Sequence, residues 1–139
     1  TRYLYMTSAK RGGPSAASVV HVPLEAAALR ASAQRLILTE GELKADTATA
    51  LLGAPVVSIP GVGSWASGVD LALAWGVRDV AVALDMDARS NIRVARALRC
   101  IVDELRRDGF AVAVWVWDSR FKGLDNYLAA QVAGATHAT

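Results

Sequence analysis

Val80-Ala81-Val82-Ala83-Leu84-Asp85-Met86-Asp87 is the stretch whose reading decides the fold. Five uninterrupted apolar residues, without the three- and four-residue spacing of an amphipathic helix, read as a fully buried strand that ends in two acids. Three more runs of the same kind flank it: Leu36 to Thr39, Val56 to Ile59 and Val112 to Trp117. Between the four runs lie helical patterns at about Leu43–Leu52, Val69–Trp75 and Asn91–Asp108. The last is the clearest, because Val94, Leu98, Ile101 and Leu105 make one apolar stripe and Gly109 follows it. Strand and helix that alternate in this way predict a three-layer α/β/α domain with a central, mainly parallel four-stranded sheet.

Outward from this centre, a short alanine-rich helix is expected at about Glu25–Ala33 and a final helix at Leu124–Val132. Residues 1–24 form an irregular lead-in that allows a short strand at Tyr3–Met6 before the Gly/Pro/Ser-rich Lys10–Ser18. Residues 25–133 are the domain, and 134–139 are small residues expected to fray. A length of 139 residues excludes two full-sized domains, and 53% hydrophobic against 20% charged residues excludes disorder. No apolar run reaches membrane-spanning length. One cysteine, Cys100, and two histidines, His21 and His137, exclude a zinc site of the thiolate or imidazole type. The chain begins at Thr1 without a secretory signal pattern, as expected of an excised cytoplasmic piece.

The acids stand where the strands end. Glu40-Gly41 closes the first run and Asp85-Met86-Asp87 the third, and ligand sites of open parallel sheets form outside the carboxyl ends of their strands. Glu40, Asp85 and Asp87 are therefore expected to share one edge. Carboxylates gathered without a cation repel one another, and a hard divalent ion removes that conflict. Magnesium, or manganese, takes oxygen ligands and retains waters and substrate phosphates, as phosphoryl chemistry requires. An acid after a strand also serves as a helix N-cap, a place that Asp87 or Ser90 suits.

The order of Leu36-Ile37-Leu38-Thr39-Glu40-Gly41 and Val80 to Asp87 resembles the Toprim domain of primases, topoisomerases and several nucleases. The chain as a whole, from Tyr3 to Val132, is most similar to the Toprim-like domains attached to primase and helicase modules of plasmids, phages and integrative elements. Glu40 to Asp46, the loop Pro60-Gly61-Val62-Gly63-Ser64-Trp65 and the run Lys122-Gly123-Leu124-Asp125-Asn126-Tyr127-Leu128 carry that resemblance. It implies a Rossmann-like fold and a magnesium-dependent nucleotidyl-transfer or phosphodiester-hydrolysis site. There the residue matching Glu40 acts as general acid or base or binds metal, those matching Asp85 and Asp87 hold the metal, and Asp125 matches a late acid approximately. Primases place an aspartate four residues after the glutamate; Lys44 stands there, as in type IA topoisomerases, and is expected to contact nucleic acid, while the nearest acid is Asp46. DNA or RNA and nucleotides are the implied partners, with helicase or primase modules in the same parent protein.

Arginine supplies twelve of the fifteen basic residues, and six of them, Arg89, Arg93, Arg96, Arg99, Arg106 and Arg107, fall within nineteen positions. Arg89, Arg93 and Arg96 advance by helical steps and suit a phosphate-contacting ridge, or else a solvated face. Trp65 stands in a glycine-rich loop that lacks a P-loop ending; it either stacks on a base or packs inward. Trp115 and Trp117 share one side of a strand and are expected in the core. Lys122 either reaches a phosphate or solvates a turn, and Cys100 is expected to pack as a small apolar side chain. Two further functions compete with phosphoryl transfer: a nucleic-acid- or nucleotide-binding accessory domain without turnover, and a haloacid-dehalogenase-type phosphatase with an aspartyl nucleophile. Against the phosphatase, Asp-x-Asp here follows the third strand and continues with Ala88.

Overall fold

A computed structural model describes residues 20–85, 91–118 and 120–137. The elements run α1 (Leu24–Leu29), β1 (Arg35–Glu40), α2 (Glu42–Leu52), β2 (Val56–Ile59), α3 (Ala66–Trp75), β3 (Asp79–Val82), α4 (Ile92–Arg107), β4 (Ala111–Val114) and α5 (Leu124–His137). The four strands form one parallel sheet in the order β2-β1-β3-β4. From β1 the chain crosses to one side and from β3 to the other, so the strand order reverses between these two neighbours. Their carboxyl ends therefore frame the crevice in which open α/β sheets bind ligands.

Both faces of the sheet are covered, as the buried strands demand. On one face Leu36, Leu38, Val57, Ile59, Val80 and Val82 pack with Val69 and Ala72 of α3 and Val94, Ile101 and Leu105 of α4. On the other, Ile37, Val56, Ala81 and Ala83 pack with Ala45 and Ala48 of α2, Leu124 of α5 and Trp117. Full burial of a side chain such as Leu36, Leu38, Ile101 or Leu105 contributes about 1.5–3 kcal/mol each, the main source of cohesion. Thr49 ties α2 to the sheet: its hydroxyl donates to the Val56 carbonyl at 3.0 Å and accepts the Val56 N–H at 3.1 Å.

α4 follows the expected stripe, with Leu98 half-buried at its margin. Asn91 caps it, its side chain accepting the Arg93 N–H at 3.0 Å. At its far end Gly109, at φ +92°, closes a Schellman motif in which Phe110 N–H donates to Leu105 O and Gly109 N–H to Arg106 O. Several expectations need correction. β3 ends at Val82 and β4 at Val114, so the tryptophans lie beyond the strand, although both pack on the α2/α5 face. α3 begins at Ala66 inside the glycine-rich loop, and α5 continues to His137, past the expected end at Val132. Cys100 is exposed rather than packed. Residues 1–19, with the Tyr3–Met6 strand and the Lys10–Ser18 loop, lie outside the described residues, as do Asp87, Arg89 and Ser90. Among the described residues no helix is long and apolar enough to cross a membrane.

Candidate functional site

The site is built around a turn that glycine alone permits. Gly41, between β1 and α2, has φ +101°, a conformation that side-chain-bearing residues rarely adopt, and its carbonyl accepts the Ala45 N–H at 3.1 Å. Helical side chains lean toward the N-terminus, so Lys44, third residue of α2, folds back over the end of the sheet. Its stem passes between two glycines. A Cβ on Gly41 would stand 3.1 Å from Lys44 Cδ, and one on Gly123 would stand 3.2 Å from both Cδ and Cε. The ammonium group emerges from this slot 2.6 Å from Asp85 Oδ2.

Asp85 reaches the slot from β3. Alternation along Ala81, Ala83 and Asp85 directs its carboxylate to the α2/α5 face, where only 9% of the residue remains exposed. Its other oxygen, Oδ1, is buried and has no hydrogen-bond partner among the described residues. Asp125 arrives from α5. It stands in the first turn of that helix, where a carboxylate is favoured, and Gly123 N–H donates to Asn126 Oδ1 at 3.4 Å in the manner of a capping box. Asp125 Oδ1 is also buried, without a partner among the described residues, and it lies 2.6 Å from the point that a Gly123 Cβ would occupy. Lys44, Asp85 and Asp125 thus line one narrow space, two carboxylates to one ammonium.

A buried carboxylate oxygen left unpaired costs about 1–3 kcal/mol or more, a cost that a cation or a polar ligand at these two atoms would relieve. Both are hard oxygen donors, so magnesium or manganese fits them. Among the described residues no three His, Cys, Asp or Glu side chains are grouped to hold a metal ion; Asp87 lies outside those residues.

Glu40 closes β1 and is half-buried. With Leu38 opposite Val82, Ala83 N–H donating to Leu38 O and the Thr39 hydroxyl donating to Ala83 O, both at 2.8 Å, Glu40 and Asp85 leave adjacent strands at one edge. The pleat, however, assigns Glu40 to the side of Leu36 and Leu38, opposite to that of Asp85. Lys44, read from the sequence as a nucleic-acid contact, has its ammonium on Asp85 instead. Asp46 bonds His21 Nε2 at 2.7 Å, on the exposed side of α2. Arg93 and Arg96 are exposed along α4 and make no ion pair with a described residue; Lys122 is exposed beside Gly123. Trp65 is half-buried against the α3/α4 core, which leaves less of its ring for a base. A surface groove lined by Leu73, Gly76, Arg78, Asp79 and Phe110 lies at the amino end of the strands, away from Asp85.

Sequence reasoning missed the Lys44–Asp85 pair and the role of Gly123. The available signal was helical direction: a lysine three positions after a strand-ending glycine leans back over the strand ends. No curated protein matches the chain. A family model does match residues 28–135, from α1 well into α5, and the chain belongs to that family, described as a domain of unknown function (DUF3854).

Proposed function

We propose that the domain is a Toprim-type, magnesium-dependent nucleotidyl- or phosphoryl-transfer module of a primase-like DNA replication protein from a mobile element. One observation carries the reading. Glu40-Gly41 and Asp85 leave neighbouring strands at the point where strand order reverses, and a buried carboxylate oxygen there has no partner among the described residues. Asp85, Asp87 and Asp125 would hold the ion; Glu40, which the pleat starts on the opposite face, would act as general acid or base, or add a ligand, only across the end of the sheet. When bound, magnesium supplies charge stabilisation to phosphate oxygens. Arg93 and Arg96, with Arg89, offer phosphate contacts of fixed planar geometry to DNA or RNA. Nucleotides are the small-molecule partners, helicase or primase modules of the parent protein the covalent ones, and the cytoplasm the compartment.

A second reading, an accessory domain that binds nucleic acid or nucleotide without turnover, is favoured by the ammonium already seated on Asp85. Metal response tests the first. Millimolar Mg2+ or Mn2+ is expected to raise the melting temperature of the chain, and Asp85→Asn with Asp87→Asn to abolish the rise. An equal rise in the double variant overturns the metal assignment. Metal response without nucleotide incorporation or strand cleavage, in the full parent protein, favours the accessory reading.

The arginines are tested separately. Single-stranded DNA or RNA is expected to bind with micromolar or weaker affinity that falls steeply with salt. Arg89→Ala, Arg93→Ala and Arg96→Ala together should flatten the slope of log affinity against log salt by about one per lost phosphate contact. Anisotropy titrations that give the same slope for the variant mean that this ridge is only solvated.

A further inference from the structure

The slot that holds Lys44 has a consequence for the metal reading, on which the following rests. A lysine stem confined between Gly41 and Gly123 has little freedom to point elsewhere, and its ammonium is committed to Asp85 Oδ2 at 2.6 Å. Among the described residues, what remains at this slot for a further cation is Asp85 Oδ1 and Asp125 Oδ1, two buried oxygens without a partner. Lys44 therefore does two opposed things. It neutralises part of the acidic charge that would otherwise destabilise the empty fold, and it sets a fixed positive charge beside the place a divalent ion must enter.

We propose that Lys44 is the resident counter-ion of this site, a built-in cation that holds Asp85 in place without metal and weakens divalent-ion binding by its charge. The domain then loads one ion weakly. Of the described residues at the site, Asp85, Asp125 and Lys44 together carry a single negative charge, one less than the two carboxylates would present without the lysine. Gly123 belongs to the same device, since a side chain there would meet both Asp125 Oδ1 and the Lys44 stem.

Isothermal titration of the full 139-residue chain with Mn2+ alone, at pH 8 and low salt, tests this. Lys44→Gln is expected to bind Mn2+ at least about tenfold more tightly than the unaltered chain, because one charge a few ångström from a dication is worth that much even in water. Lys44→Arg keeps the charge and should bind as weakly as the unaltered chain; Lys44→Gln with Asp125→Asn should lose the gain. Tight binding by Lys44→Gln where the unaltered chain shows none also supports the proposal. If the unaltered chain binds Mn2+ and Lys44→Gln binds equally or less well, the counter-ion role falls and the metal site stands. Equal tightening by Lys44→Arg also overturns it, since the effect is then one of space and not of charge. No binding by any of the four proteins overturns both. Should Lys44→Gln be unfolded without metal, circular dichroism during the titration reads the same affinity from metal-induced folding, and failure to fold with Mn2+ counts against the proposal.

Discussion

Lys44→Met is expected to lower the stability of the metal-free domain by about 3 kcal/mol, the low end of the range for breaking a buried ion pair. The discount reflects geometry: the lysine side chain keeps 26% of its exposure and that of Asp85 only 12%. The methionine fills the slot between the glycines, so packing is nearly conserved and the loss is electrostatic. Asp85 is left with neither oxygen paired to a described residue, whereas now only Oδ1 lacks a partner. Asp85→Ala should cost less, about 1–2 kcal/mol, since it strands a partly hydrated ammonium but also removes an unpaired oxygen whose burial costs about 1–3 kcal/mol. Lys44→Met combined with Asp85→Leu should be neutral or stabilising, because apolar groups of similar volume commonly match or exceed a buried pair. Denaturant unfolding of the three variants decides it. A double variant as unstable as Lys44→Met alone would mean that the pair contributes net stability and is not a cost carried for ligand binding.

That cost explains which parts of the site were legible in the sequence. Apolar runs such as Leu36–Thr39 and Val80–Leu84 announce strands because burial on both faces demands uninterrupted hydrophobicity. An acid directly after such a run then has a defined place, so the common edge of Glu40 and Asp85 followed once β1 and β3 were neighbours. The pair between Lys44 and Asp85 spans 41 residues and depends on α2 lying on the face to which Ala81, Ala83 and Asp85 turn, which no local pattern states. The same limit shortened β4. Val112 to Trp117 continues the apolar alternation, but strand pairing needs a partner, and β3 has ended at Val82. After Trp115 N–H donates to Val82 O, the chain turns away. Cys100 shows the complementary error: adjacency in sequence to the buried Ile101 places it about 100° away around the helix, on the exposed side with Arg96 and Arg99.

Beyond β4 the chain must return to the site as α5, and Trp117 fixes that return. It is 6% exposed, its indole N–H donates to the Phe121 carbonyl at 2.7 Å, and its ring stacks on Tyr127 with centroids 6.5 Å apart. Phe121 meets the same tyrosine edge-on at 5.8 Å. In the intervening loop the Asp118 carboxylate accepts the Arg120 N–H at 2.9 Å, a bond that holds its pKa below the ordinary value. These contacts join the segment before Gly123 and Asp125 to α5 at Tyr127. Trp117→Ala should therefore cost about 3–5 kcal/mol, the range for emptying a buried aromatic site, with the Phe121 carbonyl left unpaired as well. Against a total stability of about 5–15 kcal/mol that loss leaves the domain marginal. Trp117→Phe separates support from bulk: it keeps most of the ring volume, loses the hydrogen bond at a cost of about 1–3 kcal/mol, and should still fold. If Asp125 is a ligand whose position depends on this brace, the Mn2+-induced rise in melting temperature should shrink in Trp117→Phe beyond what its lower baseline stability accounts for. An undiminished rise would show instead that the packing of α5 against α2 suffices to place Asp125, and that the tryptophan serves the core alone.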